Sequence, residues 1–337
     1  TSGQSLAFSP DGKTLACAMV ANANQVYVGG RPVQQGGGAI HLFDIASGKE
    51  IRQIILPTGR GANSIAYSPD GRFLAAENAD LSVSLWEIAS GRERLQLASA
   101  GTAPPAQPML NSFIAVGGRA AARHIQTRDS LTFSPDGRRL ASRAGDDAAQ
   151  VWDILSGERI ALFKGHVAVV NALAFAADGK TLLSASGDTT ALLWDLPASP
   201  PRQAPGLDLA APQLDALWAD LLAEDAARAG ASIRKLGTGK QTVAFLAGKL
   251  QPSAPPDVKK IDEWIADLDR GNFKIRAIAT RELEKLGELA APALQKALND
   301  NPAVEARRRI EPLLEKLATG TLSSEQLRLA RAIEALE

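Results

Sequence analysis

The sequence is poor in the residues that most often carry chemistry. Its 337 residues include one cysteine, Cys17, and only three histidines. A single cysteine excludes an internal disulfide framework and a thiolate-based zinc site. His41, His124 and His166 are scattered, so no clustered metal-ligand set is expected, and no cofactor. Net charge is absent too: 37 Lys+Arg balance 37 Asp+Glu, and the balance holds in both halves of the chain. Nothing resembles the basic footprint that neutralises phosphates, so no nucleic-acid partner is expected. No apolar run reaches the roughly 18 residues that a helix needs to cross a bilayer. The expected location is cytoplasmic, with no membrane segment in this chain.

What the chain has is repetition. A Ser-Pro-Asp-Gly turn occurs at Ser9–Gly12, Ser68–Gly71 and Ser134–Gly137, and Ala-Ala-Asp-Gly ends at Gly179. Each turn follows a short strand with an aromatic, Phe8, Tyr67, Phe133 or Phe175. Each leads to a second strand and then to an aromatic–acidic pair: Phe43-Asp44, Trp86-Glu87, Trp152-Asp153 and Trp194-Asp195. Strand, Pro/Gly turn, strand and turn at a fixed period is the grammar of an all-β repeat. Tyr67 to Trp86, Phe133 to Trp152 and Phe175 to Trp194 are each 19 residues, and Asp80, Asp146 and Asp188 each stand six before their tryptophan. His124 and His166 each precede their tryptophan by 28.

These residues resemble the WD-repeat family over about 1–196. The resemblance implies β-propeller blades at approximately 1–56, 57–98, 123–163 and 164–196, with insertions at 22–38 and 99–122. It also implies a hydrogen-bonded tetrad of His, Ser or Thr, Asp and Trp. In the last blade that is His166, Ser184 or Ser186, Asp188 and Trp194; in the one before, His124, Asp146 and Trp152 match. Thr58 stands at the His position of the second blade and Phe43 at the Trp position of the first. The same Ser, His and Asp types compose a hydrolytic triad. Recurrence of the spacing in a neighbouring blade favours structural roles, and no Gly-x-Ser-x-Gly elbow is present. Four blades are visible where the family usually has seven, so the expectation is part of a seven-bladed ring and a fragment of a longer protein.

Residues 197–206 hold four prolines and read as a linker. Beyond it, over 207–337, the period becomes helical: Ile275, Ile278, Ala279, Leu283 and Leu286 are expected on one face, and Leu289, Ala293, Leu294, Ala297 and Leu298 on the next. Ala219-Asp220-Leu221 recurs as Ala266-Asp267-Leu268, Arg228-Ala229 as Arg276-Ala277 and Leu236-Gly237 as Leu286-Gly287. The stretch resembles HEAT-type repeats, and the whole order is similar to large bacterial WD-repeat proteins of unassigned function. The fold class is therefore multidomain β + α.

Other signals have bland readings. Gly237-Thr238-Gly239-Lys240 lacks the first glycine and the Ser/Thr of a phosphate loop, and Thr238 is expected to cap the next helix. Arg307-Arg308-Arg309 has acidic neighbours and reads as a solvated helix face. Cys17 reads as core. The expectation is a non-catalytic scaffold whose partners are other proteins; the alternatives are a regulatory arm of a larger signalling or transcription-regulating protein and an enzyme with a site in the propeller channel. Long loops on a rigid frame commonly carry binding. Tyr27 and Arg31 in the first insertion, with Met109, Phe113, Ile114 and Arg119 in the second, are the candidate partner contacts.

Overall fold

The computed structural model describes residues 2–20, 24–28, 31–35, 38–57, 61–78, 80–97, 129–197, 207–250, 257–300, 302–318, 322 and 324–336. The chain divides into two compact units, Thr1–Gln203 and Ala204–Glu337.

The first unit is a row of antiparallel sheets. Strands β1 (Ser2–Phe8), β2 (Thr14–Val20), β5 (Gly38–Asp44) and β6 (Glu50–Ile55) form the first, with a hairpin of β3 (Asn24–Val28) and β4 (Arg31–Gln35) inserted between β2 and β5. The second sheet is β7 (Ala62–Tyr67), β8 (Phe73–Asn78), β9 (Val83–Glu87) and β10 (Arg92–Leu97). The third is β11 (Leu131–Phe133), β12 (Arg139–Ala144), β13 (Ala148–Asp153) and β14 (Arg159–Lys164). The last has three described strands, β15 (Val170–Phe175), β16 (Thr181–Ser186) and β17 (Ala191–Asp195).

The repeated turn builds each sheet in the same way. Gly12, Gly71, Gly137 and Gly179 all have φ between +66° and +73°, the left-handed region where a Cβ is costly. The Ser9 hydroxyl donates to Asp11 Oδ1 at 2.6 Å and accepts from the Thr14 N–H at 2.9 Å. Ser68–Asp70 and Ser134–Asp136 repeat the arrangement. At the decayed copy Ala176 has no hydroxyl, and Asp178, through the Lys180 N–H, holds the turn together with the backbone bonds Gly179 N–H to Ala176 O and Ala176 N–H to Thr181 O. The turn therefore survives loss of the serine.

Period-2 alternation gives every sheet two apolar faces, and the order of packing is the same throughout. One face presents an apolar residue and an aromatic from the first strand, a Leu from the second and the Trp from the third. It lies on the opposite, smaller-residue face of the preceding sheet. Ile65, Tyr67, Leu74 and Trp86 pack on Ala16, Ala18, Ile40 and Leu42. Leu131, Phe133, Leu140 and Trp152 pack on Ala75, Val83 and Leu85. Leu173, Phe175, Leu182 and Trp194 pack on Ala141, Ala149 and Val151. Cys17 is buried in the first sheet, and burial pushes its thiol pKa up.

One inter-sheet contact is ionic. Glu77 on β8 and Arg143 on β12 are both buried, with Arg143 Nη2 and Nε at 2.6 and 3.0 Å from Glu77 Oε1. Ser130 donates to Glu77 Oε2 at 2.8 Å, so both carboxylate oxygens are engaged.

The second unit is helical: α1 (Ala211–Asp220), α2 (Ala226–Thr238), α3 (Thr242–Lys249), α4 (Val258–Asp267), α5 (Phe273–Leu286), α6 (Ala291–Asn299), α7 (Val304–Ala318) and α8 (Ser324–Glu334). Asp225, Asp257 and Asn272 cap α2, α4 and α5 by accepting backbone N–H groups. The cores are two: α1, α2, α3 and α8 around Leu221, Ile233 and Leu236, and α4 to α7 around Leu268, Leu283 and Ile310. Buried Arg331 on α8 donates to the Leu221 and Ala223 carbonyls at 2.8 and 2.9 Å, filling acceptors that the end of α1 leaves open.

Three expectations are corrected here. Ile278 is exposed, because the buried stripe of α5 runs through Ala279 and Leu283 and Ile278 is rotated about 100° from it. Leu289 is exposed on the 3-10 turn Gly287–Ala290. Thr238 ends α2 and its hydroxyl donates backwards to the Lys235 carbonyl, while Thr242 donates to the Leu236 carbonyl at 2.6 Å; the first residue of α3, not Thr238, ties that helix start down.

Removing Arg143 alone leaves a buried carboxylate with one partner. Arg143→Met is expected to cost about 3–5 kcal/mol in a urea titration. The double substitution Glu77→Leu with Arg143→Met is expected to cost less than Arg143→Met alone. Costs that simply add across the two sites would show that the pair is not coupled.

Candidate functional site

The densest polar cluster among the described residues lies in the last sheet. His166 follows β14 and is buried. Its Nδ1 is 3.0 Å from Asp188 Oδ2 and its Nε2 is 2.8 Å from Ser184 Oγ. Trp194 Nε1 donates to the same Ser184 oxygen at 2.8 Å. One assignment satisfies every atom: Trp194 donates to Ser184, Ser184 to His166 Nε2, and His166 Nδ1–H to Asp188. Ser186 lies two residues further along β16, and its hydroxyl donates to the Ala168 carbonyl at 2.9 Å. It is outside the chain of four.

Asp188 is held from several sides. Thr190 donates from its hydroxyl at 2.6 Å and its N–H at 2.9 Å, and the Val167 N–H donates at 3.0 Å. These bonds, the Thr190 hydroxyl foremost, hold the Asp188 carboxyl well below the usual carboxylate range against an opposing desolvation.

The order Asp–His–Ser is that of a hydrolytic triad, but the environment differs. Ser184 Oγ is fully buried and takes the Trp194 N–H. A nucleophile needs room for a carbonyl carbon beside it, and this sealed oxygen, engaged by both His166 and Trp194, has none. The cluster ties three segments together: the β14–β15 connection through His166, β16 through Ser184, and the β16–β17 turn through Asp188.

The other sheets hold partial versions. Ser142, nine residues after Phe133 as Ser184 is after Phe175, accepts from Trp152 Nε1 at 3.2 Å and from Gln150 Nε2 at 3.2 Å. Sequence reasoning missed Ser142, although that spacing marks it. Asp146 is exposed at the β12–β13 turn, where its carbonyl accepts the Val170 N–H at 2.8 Å. His124 lies outside the described residues. In the second sheet the equivalent position is Ala76, and buried Trp86 Nε1 has no hydrogen-bond partner among the described residues. In the first it is Cys17, opposite His41, whose Nδ1 is 3.0 Å from Glu50.

The loop candidates are placed less fully. Tyr27 and Arg31 fall on the backbone of β3 and β4, where Tyr27 pairs with Pro32 and Arg31 with Val28; their side chains lie outside the described residues. Met109, Phe113, Ile114 and Arg119 lie outside them altogether. A cavity of about 480 Å³ opens at the junction of the third and last sheets, beside Asp136, Arg139, Asp178 and Lys180. Arg139 there donates to the Pro197 carbonyl at 3.1 Å. No group of three or more His, Cys, Asp or Glu among the described residues is placed to hold a metal. No helix among them is long and apolar enough to cross a membrane.

Comparison with known proteins agrees with this geometry. The family "WD domain, G-beta repeat" matches residues 51–87 and 157–195. Each match begins near the outer strand of one sheet and ends at the Trp strand of the next, so one sequence repeat spans two blades. A probable cytosolic iron-sulfur protein assembly protein 1 of Malassezia globosa is 32% identical over 33% of this chain and 31% of its own length. The Protein LST8 homolog of Drosophila melanogaster is 27% identical over 34% of this chain and 31% of its own length. A component of chromatin assembly factor 1 from Mus musculus is 24% identical over 33% of this chain and 19% of its own length. The chain thus spans less than a third of the length of these relatives. It carries WD repeats, and the four sheets are WD-like blades.

Three measurements check the polar assignments. His166→Ala is expected to cost about 1–3 kcal/mol, because Ser184 and Asp188 lose a buried partner; an unchanged melting curve would sink that assignment. Ala76→Ser supplies the acceptor that Trp86 lacks and is expected to stabilise the chain by about 1 kcal/mol; a lower melting temperature would show that the pocket has no room for the hydroxyl. Asp188 has a depressed folded pKa, so its contribution is present above the unfolded value near 3.9 and is lost as pH falls below it. The wild-type melting temperature should therefore drop between pH 5 and pH 3 by more than that of Asp188→Asn.

Proposed function

We propose that this chain is a non-catalytic protein-interaction scaffold. One observation carries the reading: the polar cluster most like a catalytic one is spent on holding a WD blade together, with its serine sealed. Names of two of the relatives describe assembly factors, which fits a protein that holds others.

Topology supports a choice of binding face. His166 sits on a β14–β15 connection and Asp188 on a β16–β17 turn, and their 3.0 Å contact brings these two connection types to one side of the blade. The insertion at 22–38 is a connection of the second type, between β2 and β5. The insertion at 99–122 is of the first type, between β10 and β11. The described strand ends that flank both insertions therefore lie on the side that carries His166 and Asp188, whereas the Ser-Pro-Asp-Gly turns lie opposite and stay short. Tyr27, Arg31, Met109, Phe113, Ile114 and Arg119 are the proposed contacts there.

The helical unit is proposed to be a HEAT-like repeat. Support comes from the correspondence of α1–α2–α3 with α4–α5–α6: Leu221 and Leu268 are both fully buried at the ends of α1 and α4, and Asp225 and Asn272 both cap the helix that follows.

Replacing 22–38 by a two-residue turn and, separately, deleting 99–122 tests the face. Each variant is expected to keep the wild-type circular dichroism and to lose at least one protein captured by the wild-type chain. If both fold and retain every partner, this side is not the binding surface.

A further inference from the structure

The helical triplets α1–α3 and α4–α6 correspond, but they finish their first turns in different ways. In the second triplet the turn after α4 is closed from within: Arg276 on α5 donates through Nη1 to the Arg270 carbonyl at 2.6 Å. Ala223 stands at the corresponding place in the first triplet, 47 residues earlier, as Ala219 stands before Ala266. Arg228, the counterpart of Arg276, is turned to Asp220 Oδ1 at 2.6 Å instead. The Leu221 and Ala223 carbonyls are filled by Arg331 of α8, which is 1% exposed. An arginine 108 residues beyond Ala223 therefore does for the first triplet what a neighbouring helix does for the second.

The rest of α8 follows that arginine. Arg328, Leu329, Ala332 and Ala335 recur at three- and four-residue steps and share one stripe. Leu329, Ala332 and Ala335 pack with Trp218, Leu221, Ile233 and Leu236. The Arg328 Cζ lies 4.6 Å from the centre of the Trp218 ring, and the Ala335 carbonyl lies beside Gly237 of α2. Near its start α8 reaches the second triplet. A Cβ at Gly287, in the turn between α5 and α6, would lie 2.5 Å from Gln326 Nε2. No buried cluster among the described residues joins side chains of the two triplets.

We infer that α8 is a strap: it completes the first triplet, touches the second, and its release opens the first while the second stays folded. Undocked, it uncovers an apolar groove of Trp218, Leu221 and Ile233 and leaves two carbonyls without their donor. The helices α4 to α7 keep their own core around Leu268, Leu283 and Ile310 and their own arginine at the turn. Undocking also returns the buried Arg331 guanidinium to water, which offsets part of the packing lost. An amphipathic helix seated in a groove of other helices is a reversible contact of the kind that switches use. The strap needs only the correspondence of the two triplets, not their assignment to HEAT-like repeats.

Hydrogen exchange of the full chain, read segment by segment by mass spectrometry, tests this. In Arg331→Leu the amides of α1, α2 and α8 are expected to exchange about tenfold faster or more, with α4 to α7 at wild-type rates. In Leu283→Ala the reverse is expected: exchange rises in α4 to α7 and stays at wild-type rates in α1 and α2. Exchange that rises equally in both triplets, or loss of all helical protection in either variant, makes the helical unit one cooperative body and overturns the strap. Unchanged protection of α1 and α2 in Arg331→Leu overturns it as well.

Discussion

A β-blade with apolar residues on both faces is stable in water only when both faces are covered. That constraint organises the first unit. Every buried cluster described there spans two blades: Trp86 packs with Ile40 and Leu42 of the blade before it as well as with Leu74 of its own sheet. Stability is therefore a property of the row. Each described blade is held by the blade packed against it. Burial of a leucine contributes roughly 1.5–3 kcal/mol, so each covered face adds several such contributions.

Polar groups are handled in two ways in this interior. Where a hydroxyl stands on the second strand, as Ser142 and Ser184 do, the indole N–H of the third strand is satisfied. Where alanine stands instead, as Ala76 does, the indole of Trp86 is buried without a partner among the described residues. The full chain of Trp194, Ser184, His166 and Asp188 pins two connections to one strand, and those connections are of the types that carry the insertions. Rigidity at the base of a loop is what allows its tip to vary without unravelling the blade. The Glu77–Arg143 pair does the equivalent between blades: it costs desolvation, and two Arg143 N–H groups on one carboxylate oxygen with Ser130 on the other fix how β8 and β12 face each other.

The helical unit solves burial differently. Its helices are short, ten residues in α1 and eight in α3, so their ends are a large part of their length. Side-chain caps and the Arg331 bonds to carbonyls beyond α1 satisfy those ends. The last helix, α8, packs in the first core beside Leu221 and Ile233, so the two cores do not follow simple chain order.

Fold class and blade grammar are legible in the sequence because they are local. Turn residues, strand aromatics and the 19-residue interval all fall within one repeat, and φ above zero at the turn glycines is a single-residue property. The helix stripe is legible to within one residue, and Ile278 departs from it because a 3–4 pattern does not say which edge of the stripe meets a neighbour. The position of Ser142 is written in the same spacing that marks Ser184, yet a serine in an apolar strand carries no signal until its indole partner is placed across the ladder. The choice between Ser184 and Ser186 needs distances, since both point to the same side of β16. Glu77 and Arg143 are 66 residues apart, and no local pattern links them. What the sequence determined by itself is the repeat, its turns and the change from period 2 to period 3.6. Only the tertiary structure decided which faces meet and which polar atoms find partners, because those depend on the order in which separate sheets stack and on separations that local spacing does not encode.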